Sequence, residues 1–385
     1  IKANPSANYV LGCDIDAAGA ELKHTSAYSF SGSLDGQNHI ISNLKITGRP
    51  FIPNIVAAEG TAEGSQGATV KNINFLNPEF TANGSNTGLL TANATGAMIS
   101  NIHVYGGKVT GEESIAGLVG KASLYTNISE CSFNGEVTCT GDEAAAGIAG
   151  TLQTSSTISA CAFNGTITGG SSLGGIVSET HSNAGTIANC HVNADIKGKN
   201  TIGGIAGSSQ RAPIVNCHVE GTIEATEAPR WGGGPKTGGI VGELTPAISA
   251  GNEGEGTGEA TETTAVIKGC YVNLTSFTYS GEAGEETFAG QNDTMHRIVG
   301  STAVNYEPEV IDYDSEWNPI YGEPNAPEAA LADNYAVATL AKVADAIADE
   351  TTTTEGKSVA ADETGMGFFM ELGWAYGYEI GRAHV

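Results

Sequence analysis

A chain of 385 residues with 43 acidic against 17 basic side chains carries a formal charge of −26. That balance excludes nucleic acid and anionic membrane surfaces as partners, because both are bound through basic surface that displaces counterions; acidity instead favours solubility. No run approaches the roughly eighteen apolar residues of a membrane helix, and 53 glycines suit a chain of many tight turns.

Residues 1–48 hold three short strand-like runs, at 9–16, 30–36 and 39–46, and read as N-terminal capping strands. Asp14, Asp16 and Asp35 have the oxygen chemistry for a calcium cluster. Their places beside turns, Asp35-Gly36 above all, favour turn and cap roles instead. The chain opens on Ile1 rather than Met, so its natural start is expected further upstream.

From 49 to 300 one unit is written repeatedly. Ile158-Ser-Ala-Cys161-Ala-Phe163 is followed by Gly174-Gly-Ile-Val-Ser178, then Ile187-Ala-Asn-Cys190-His-Val192 by Gly203-Gly-Ile-Ala-Gly207. The steps from Ile99 to Ile128, Ile158, Ile187 and Ile214 are 29, 30, 29 and 27 residues. Such a period signals a solenoid. Within the unit, apolar and polar residues alternate as in strands with one buried face, and no unit has room for a helix pair. The reading is an all-β fold, a parallel β-helix with coils of about 27–30 residues, each strand pairing with its copy about 4.8 Å away.

Cys131, Cys161, Cys190, Cys217 and Cys270 share one register, which Ile73 and Ile102 fill earlier. Isoleucine in the same slot makes the slot inward-facing and apolar. The five cysteines therefore read as a structural ladder of buried thiols, without disulfides or metal. Asn72 and Asn101 lie just before the slot, and Asn134, Asn164, Asn193 and Asn273 fall three places after it; these stacked asparagines are expected to donate side-chain amides to the turn of the next coil. His191 and His218 directly follow their cysteines; a metal-binding pair is conceivable, but solvent-facing stacking is the expectation.

Two insertions interrupt the ladder, at 224–236 and 244–264, and should project as loops. Arg230 and Trp231, in a Gly- and Pro-rich stretch, form the candidate ligand-contact loop. The indole reads either as packing on its own coil or as stacking on a sugar ring. From 301 to 379 the period is lost and a C-terminal irregular or capping unit is expected, with a strand near Tyr335 and a closing element at 368–374. Residues 380–385, Ile-Gly-Arg-Ala-His-Val, match the translation of a common sequencing adapter and are set aside as an artefact.

The runs Tyr9-Val-Leu-Gly-Cys-Asp14-Ile-Asp16, Phe30-Ser-Gly-Ser-Leu-Asp35-Gly36 and His39-Ile-Ile-Ser-Asn43-Leu-Lys-Ile46, followed by Gly117-Leu118-Val119-Gly120 and its variants, resemble the GLUG-repeat proteins of bacteria. The resemblance covers about residues 7–300. It implies a right-handed parallel β-helix, secreted or displayed at the cell surface, as in adhesin-like proteins and the non-catalytic region of immunoglobulin A proteases. His-Glu-x-x-His, the zinc-protease signature, does not occur in the sequence.

The functional expectation is an extracellular β-helix binding or adhesion module with no catalysis and no cofactor of its own, facing an unidentified glycan or protein. The alternatives are a non-catalytic spacer of a larger secreted enzyme, and a carbohydrate-active β-helix enzyme using carboxylates from adjacent coils.

Overall fold

The computed structural model describes residues 1–18, 20–24, 26–58, 67–181, 183–227, 235–245, 266–280, 295–302, 310–313, 319–321, 330–337, 339–340, 350, 352–353, 355–364 and 368. Arg230, Trp231, most of both insertions and residues 369–385 lie outside them.

The fold is a parallel β-helix. Each repeat pairs in register with its copy in the next coil, as in the inward series Phe133, Phe163, Val192, Val219 and Val272. Among the described residues the strands gather into a large sheet of 22, a sheet of nine and a sheet of seven, with one small antiparallel pair, Val310–Tyr313 with Pro319–Tyr321. A coil runs from a short strand such as Thr157–Ser159 round a sharp corner into a longer one, Ala162–Thr168. It crosses the seven-stranded sheet at Ser171–Gly174 and returns along the nine-stranded sheet at Val177–Thr180.

One residue makes the sharp corner, and its left-handed backbone explains the asparagines there. Asn72, Asn101, Asn189 and Asn216 have φ of 53–56°, and Glu130, Ala160 and Asp333 occupy the same conformation at 54°, 50° and 55°. Asparagine tolerates this region better than other residues that carry a Cβ. In the early coils the corner amides also link: Asn101 donates to Asn38 and Asn72 at 3.0 and 2.9 Å, and Asn72 to Asp35 at 3.0 Å. Asn134, Asn164 and Asn193, in contrast, lie mid-strand in register with Glu220 and Asn273. The expectation that this second series serves turns is therefore corrected: extended pairing already satisfies the backbone there, and Asn273 donates to Glu220 at 3.4 Å.

The core is narrow and held by complementary columns. Cys131, Cys161, Cys190, Cys217 and Cys270 are buried and free of disulfides. Each thiol lies 3.1–3.6 Å from the carbonyl two residues before it. Burial pushes the thiols of Cys131, Cys190 and Cys217 well above the ordinary range, so they behave as small apolar groups. Opposite the Phe and Val series stands a glycine column, Gly117, Gly147, Gly175, Gly204 and Gly239. A Cβ on any of them would come within 2.0–2.2 Å of the carbonyl oxygen of the next coil.

The large sheet does not stop at 300. Ala330–Ala332 pairs with Val266–Lys268, Tyr335 and Ala336 pair with Tyr271 and Val272, and Lys357–Val359 adds a further strand. In this coil Asn334 takes the cysteine slot, fully buried, with its amide donating to Ile267 O at 2.8 Å and accepting from Cys270 N at 3.1 Å. Among the described residues, the last member of the glycine column is Arg297. It is 1% exposed, and its guanidinium bonds the carbonyls of Leu340, Glu355 and Gly356 and the hydroxyl of Ser358. The buried Glu355 carboxylate completes the plug, 3.3 Å from Arg297 Nε and 3.0 Å from His296 Nδ1. The volume exchange is local: large Arg297 follows a column of glycines, while small Ala336 follows Val272.

Candidate functional site

The parallel register that stacks the coils also gathers chemistry on the outer face of the large sheet. His191 lies directly opposite His218, and His218 opposite Tyr271. Glu220, two residues beyond His218, points to the same side because strand side chains alternate. The rings of His191 and His218 are 5.0 Å apart, as are those of His218 and Tyr271. Glu220 brings Oε1 to 3.4 Å from His218 Nε2 and Oε2 to 3.9 Å from His191 Nε2. One donor atom from each of the three residues falls within 4.8 Å of the others.

This corrects the expectation of solvent-facing histidines. The side chains of His191 and His218 are only 10% and 15% exposed, and that of Glu220 33%. The rings cover one another, and Phe368 closes over the end of the row with edge contacts to Tyr271 and Tyr335 at 6.0 and 5.0 Å. Burial, and then the charge of His191 beside it, drive His218 down to about 3, against the pull of Glu220. Glu220 is drawn down to about 2 by His191 first, then by His218 and the Asn273 amide, which together outweigh its own burial. The site thus holds a neutral imidazole beside an ionised carboxylate. His103, in the same outward column, differs: its two nitrogens meet Ser132 Oγ at 2.8 Å and Asn101 Oδ1 at 2.7 Å.

A cleft of about 240 Å³ opens on another part of the surface, lined by Asp142, Glu143 and Glu179 with the hydroxyls of Ser114, Ser171 and Ser172 among others. Its groups are largely engaged: Ser114 donates to Glu143 at 3.3 Å, Ser172 to Ser178 O at 3.2 Å, and Lys199 pairs with Asp142 at 3.0 Å.

The N-terminal carboxylates are spent on capping. Asp14 accepts from Ile40 N and His39 Nδ1, both at 2.9 Å; Asp16 accepts from Ala18 N and Asn43 Nδ2, both at 3.0 Å; Asp35 accepts from Gln37 N at 2.8 Å. These bonds to the charged form hold all three below the usual carboxylate range. The candidate contact loop, Arg230 and Trp231, lies outside the described residues. The spacing of His191, His218 and Glu220 was visible in the sequence; their burial was not, because Tyr271 and Phe368 come from far along the chain.

No helix among the described residues is long and apolar enough to cross a membrane. No protein-family model matches the chain, and no curated protein matches it. Solved structures do match. One, described as an IgA1 protease, aligns with a TM-score of 0.45 at 18% identity, over 87% of this chain and 20% of its own. Another, from Bacteroides ovatus and described as a candidate immunoglobulin A1 protease, aligns with a TM-score of 0.42 at 17% identity, over 82% of this chain and 86% of its own. The chain spans about a fifth of the length of the first of these, and the similarity to both is one of architecture.

Proposed function

We propose that this chain is an extracellular β-helix module that binds a glycan or protein ligand along its outer face and has no catalysis of its own. The observation that carries the reading is the regularity of that face. Thr47, Thr81, Thr110, Thr138 and Thr168 stand in one register across five successive strands. Beside them Glu21, Lys45, Glu79, Lys108 and Glu136 form a column of alternating sign. A flat array of hydroxyls and charges repeating at the strand spacing suits a ligand that itself repeats, because many weak contacts then add along the rod.

The ion pairs in that column favour a second reading. Lys45 reaches Glu79 at 3.1 Å and Lys108 reaches Glu136 at 3.2 Å, so these charges are turned on one another. A face satisfied in this way suits a spacer within a larger secreted enzyme. Probing the purified chain against glycan arrays and immobilised extracellular proteins separates the two. Saturable binding that falls when Thr81, Thr110 and Thr138 are changed together to Ala supports the binding module. Absence of any ligand leaves the spacer, and turnover of a polysaccharide or protein substrate overturns both.

A further inference from the structure

We propose that His191, His218 and Glu220 form a zinc site on the outer face of the β-helix, bridging two successive coils. The first argument is backbone-set geometry. The histidines are held side by side by an in-register parallel pair, and the carboxylate is fixed two residues along the same strand. Tetrahedral zinc with bonds of about 2.0–2.1 Å places its ligand atoms about 3.3 Å apart. His218 Nε2 and Glu220 Oε1 already stand at 3.4 Å, and the 3.9 Å from His191 Nε2 to Glu220 Oε2 closes with a small side-chain rotation.

His191 is also incompletely partnered. His191 is nine-tenths buried, yet its Nδ1 meets no hydrogen-bond partner among the described residues, and its Nε2 lies too far from Glu220 for a good hydrogen bond. A cation between the rings and the carboxylate would engage His191 Nε2, which has no close hydrogen bond to Glu220. His103 shows what a settled histidine in this column looks like, with both nitrogens bonded.

The ligand set selects the metal class. Two imidazoles and one carboxylate suit zinc or a neighbouring first-row ion rather than calcium or magnesium, which take oxygen. Three protein ligands leave one coordination position. Glu220, the most exposed of the three, marks the side on which a water or a carboxylate could enter.

The test begins by titrating the metal-free full chain with zinc sulfate in a calorimeter. One equivalent should bind, with loss of binding in His191→Ala and His218→Ala, at least about tenfold weaker binding in Glu220→Gln, and no change in His103→Ala. No stoichiometric uptake by the unaltered chain, or uptake that survives both His191→Ala and His218→Ala, overturns the site. Because removing a stacked ring can disturb the coil itself, the unaltered chain should also be crystallised with zinc. An anomalous peak bonded to the two histidines and Glu220 supports the proposal; zinc found only elsewhere overturns it.

Discussion

At the scale of single residues, two kinds of position decide the coil: those with no room and those with the wrong backbone. Gly175 stands for the first. A Cβ there would meet Gly204 O at 2.2 Å and the Val192 methyls at 2.6 Å. Gly175→Ala should therefore cost about 1–3 kcal/mol, as overpacking does, read as a lower midpoint in urea. Ala160 stands for the second, since it holds the left-handed corner at φ 50° where the next coil places Asn189. Ala160→Asn should stabilise by roughly 1 kcal/mol by relieving a conformation that is costly for alanine; an unchanged or lower midpoint would sink that account. The cysteine column supplies a paired check. Cys190→Val keeps an apolar group in a fully buried slot and should cost less than about 1.5 kcal/mol, whereas Cys190→Asp buries a carboxylate and should unfold neighbouring coils. Equal thermal melts for the two variants would contradict the inward placement.

At the scale of elements, the N-terminal turns carry an acid sensitivity. Asp14, Asp16 and Asp35 all titrate below their ordinary 3.8 in the folded chain, because backbone and side-chain donors hold the charged form. A depressed folded value means that their stabilisation is complete above pH 3.8 and is lost as the pH falls through the lower folded values. Between pH 6 and pH 3 the unaltered chain should lose more melting temperature than Asp35→Asn. Parallel losses would show that the Asp35 cap contributes nothing. The plug at the other end is more demanding. Removing the guanidinium in Arg297→Ala leaves Glu355 charged and buried, and should cost about 3–5 kcal/mol.

The elements also show what the sequence could and could not reveal. The coils at Cys131, Cys161, Cys190 and Cys217 were legible because the apolar slot, the following Val or Phe and the glycine pair recur at nearly constant spacing. The coil at 330–337 was not legible as a repeat. Its slot holds Asn334 instead of cysteine, the glycine position of the coil before it holds Arg297, and the step from Cys270 is 64 residues. These positions meet different neighbours from those within the regular coils, such as the Glu355 carboxylate and the Leu340 carbonyl, so the pattern imposed by regular stacking no longer applies. The histidine site failed on a different ground, since its cover is tertiary.

At the scale of the whole molecule, stability should divide by coil, because each coil touches mainly its neighbours. Deleting residues 131–160 joins Glu130 to Cys161, two positions that keep the left-handed corner followed by the inward slot. The shortened chain should fold and melt only slightly lower, with its β-rich circular dichroism intact; collapse to an unfolded chain would refute coil-wise independence.

The Arg297 plug has a consequence for how such a rod changes length over generations. A duplicated coil inserted anywhere between Gly117 and Gly239 finds glycine above and glycine below, and can be accommodated at once. A regular coil with glycine in register, placed directly against Arg297, would have to displace a buried guanidinium, its carboxylate and the carbonyls they satisfy. Growth by tandem duplication is therefore directed to the glycine-bearing coils, and the Arg297 plug is carried along unchanged.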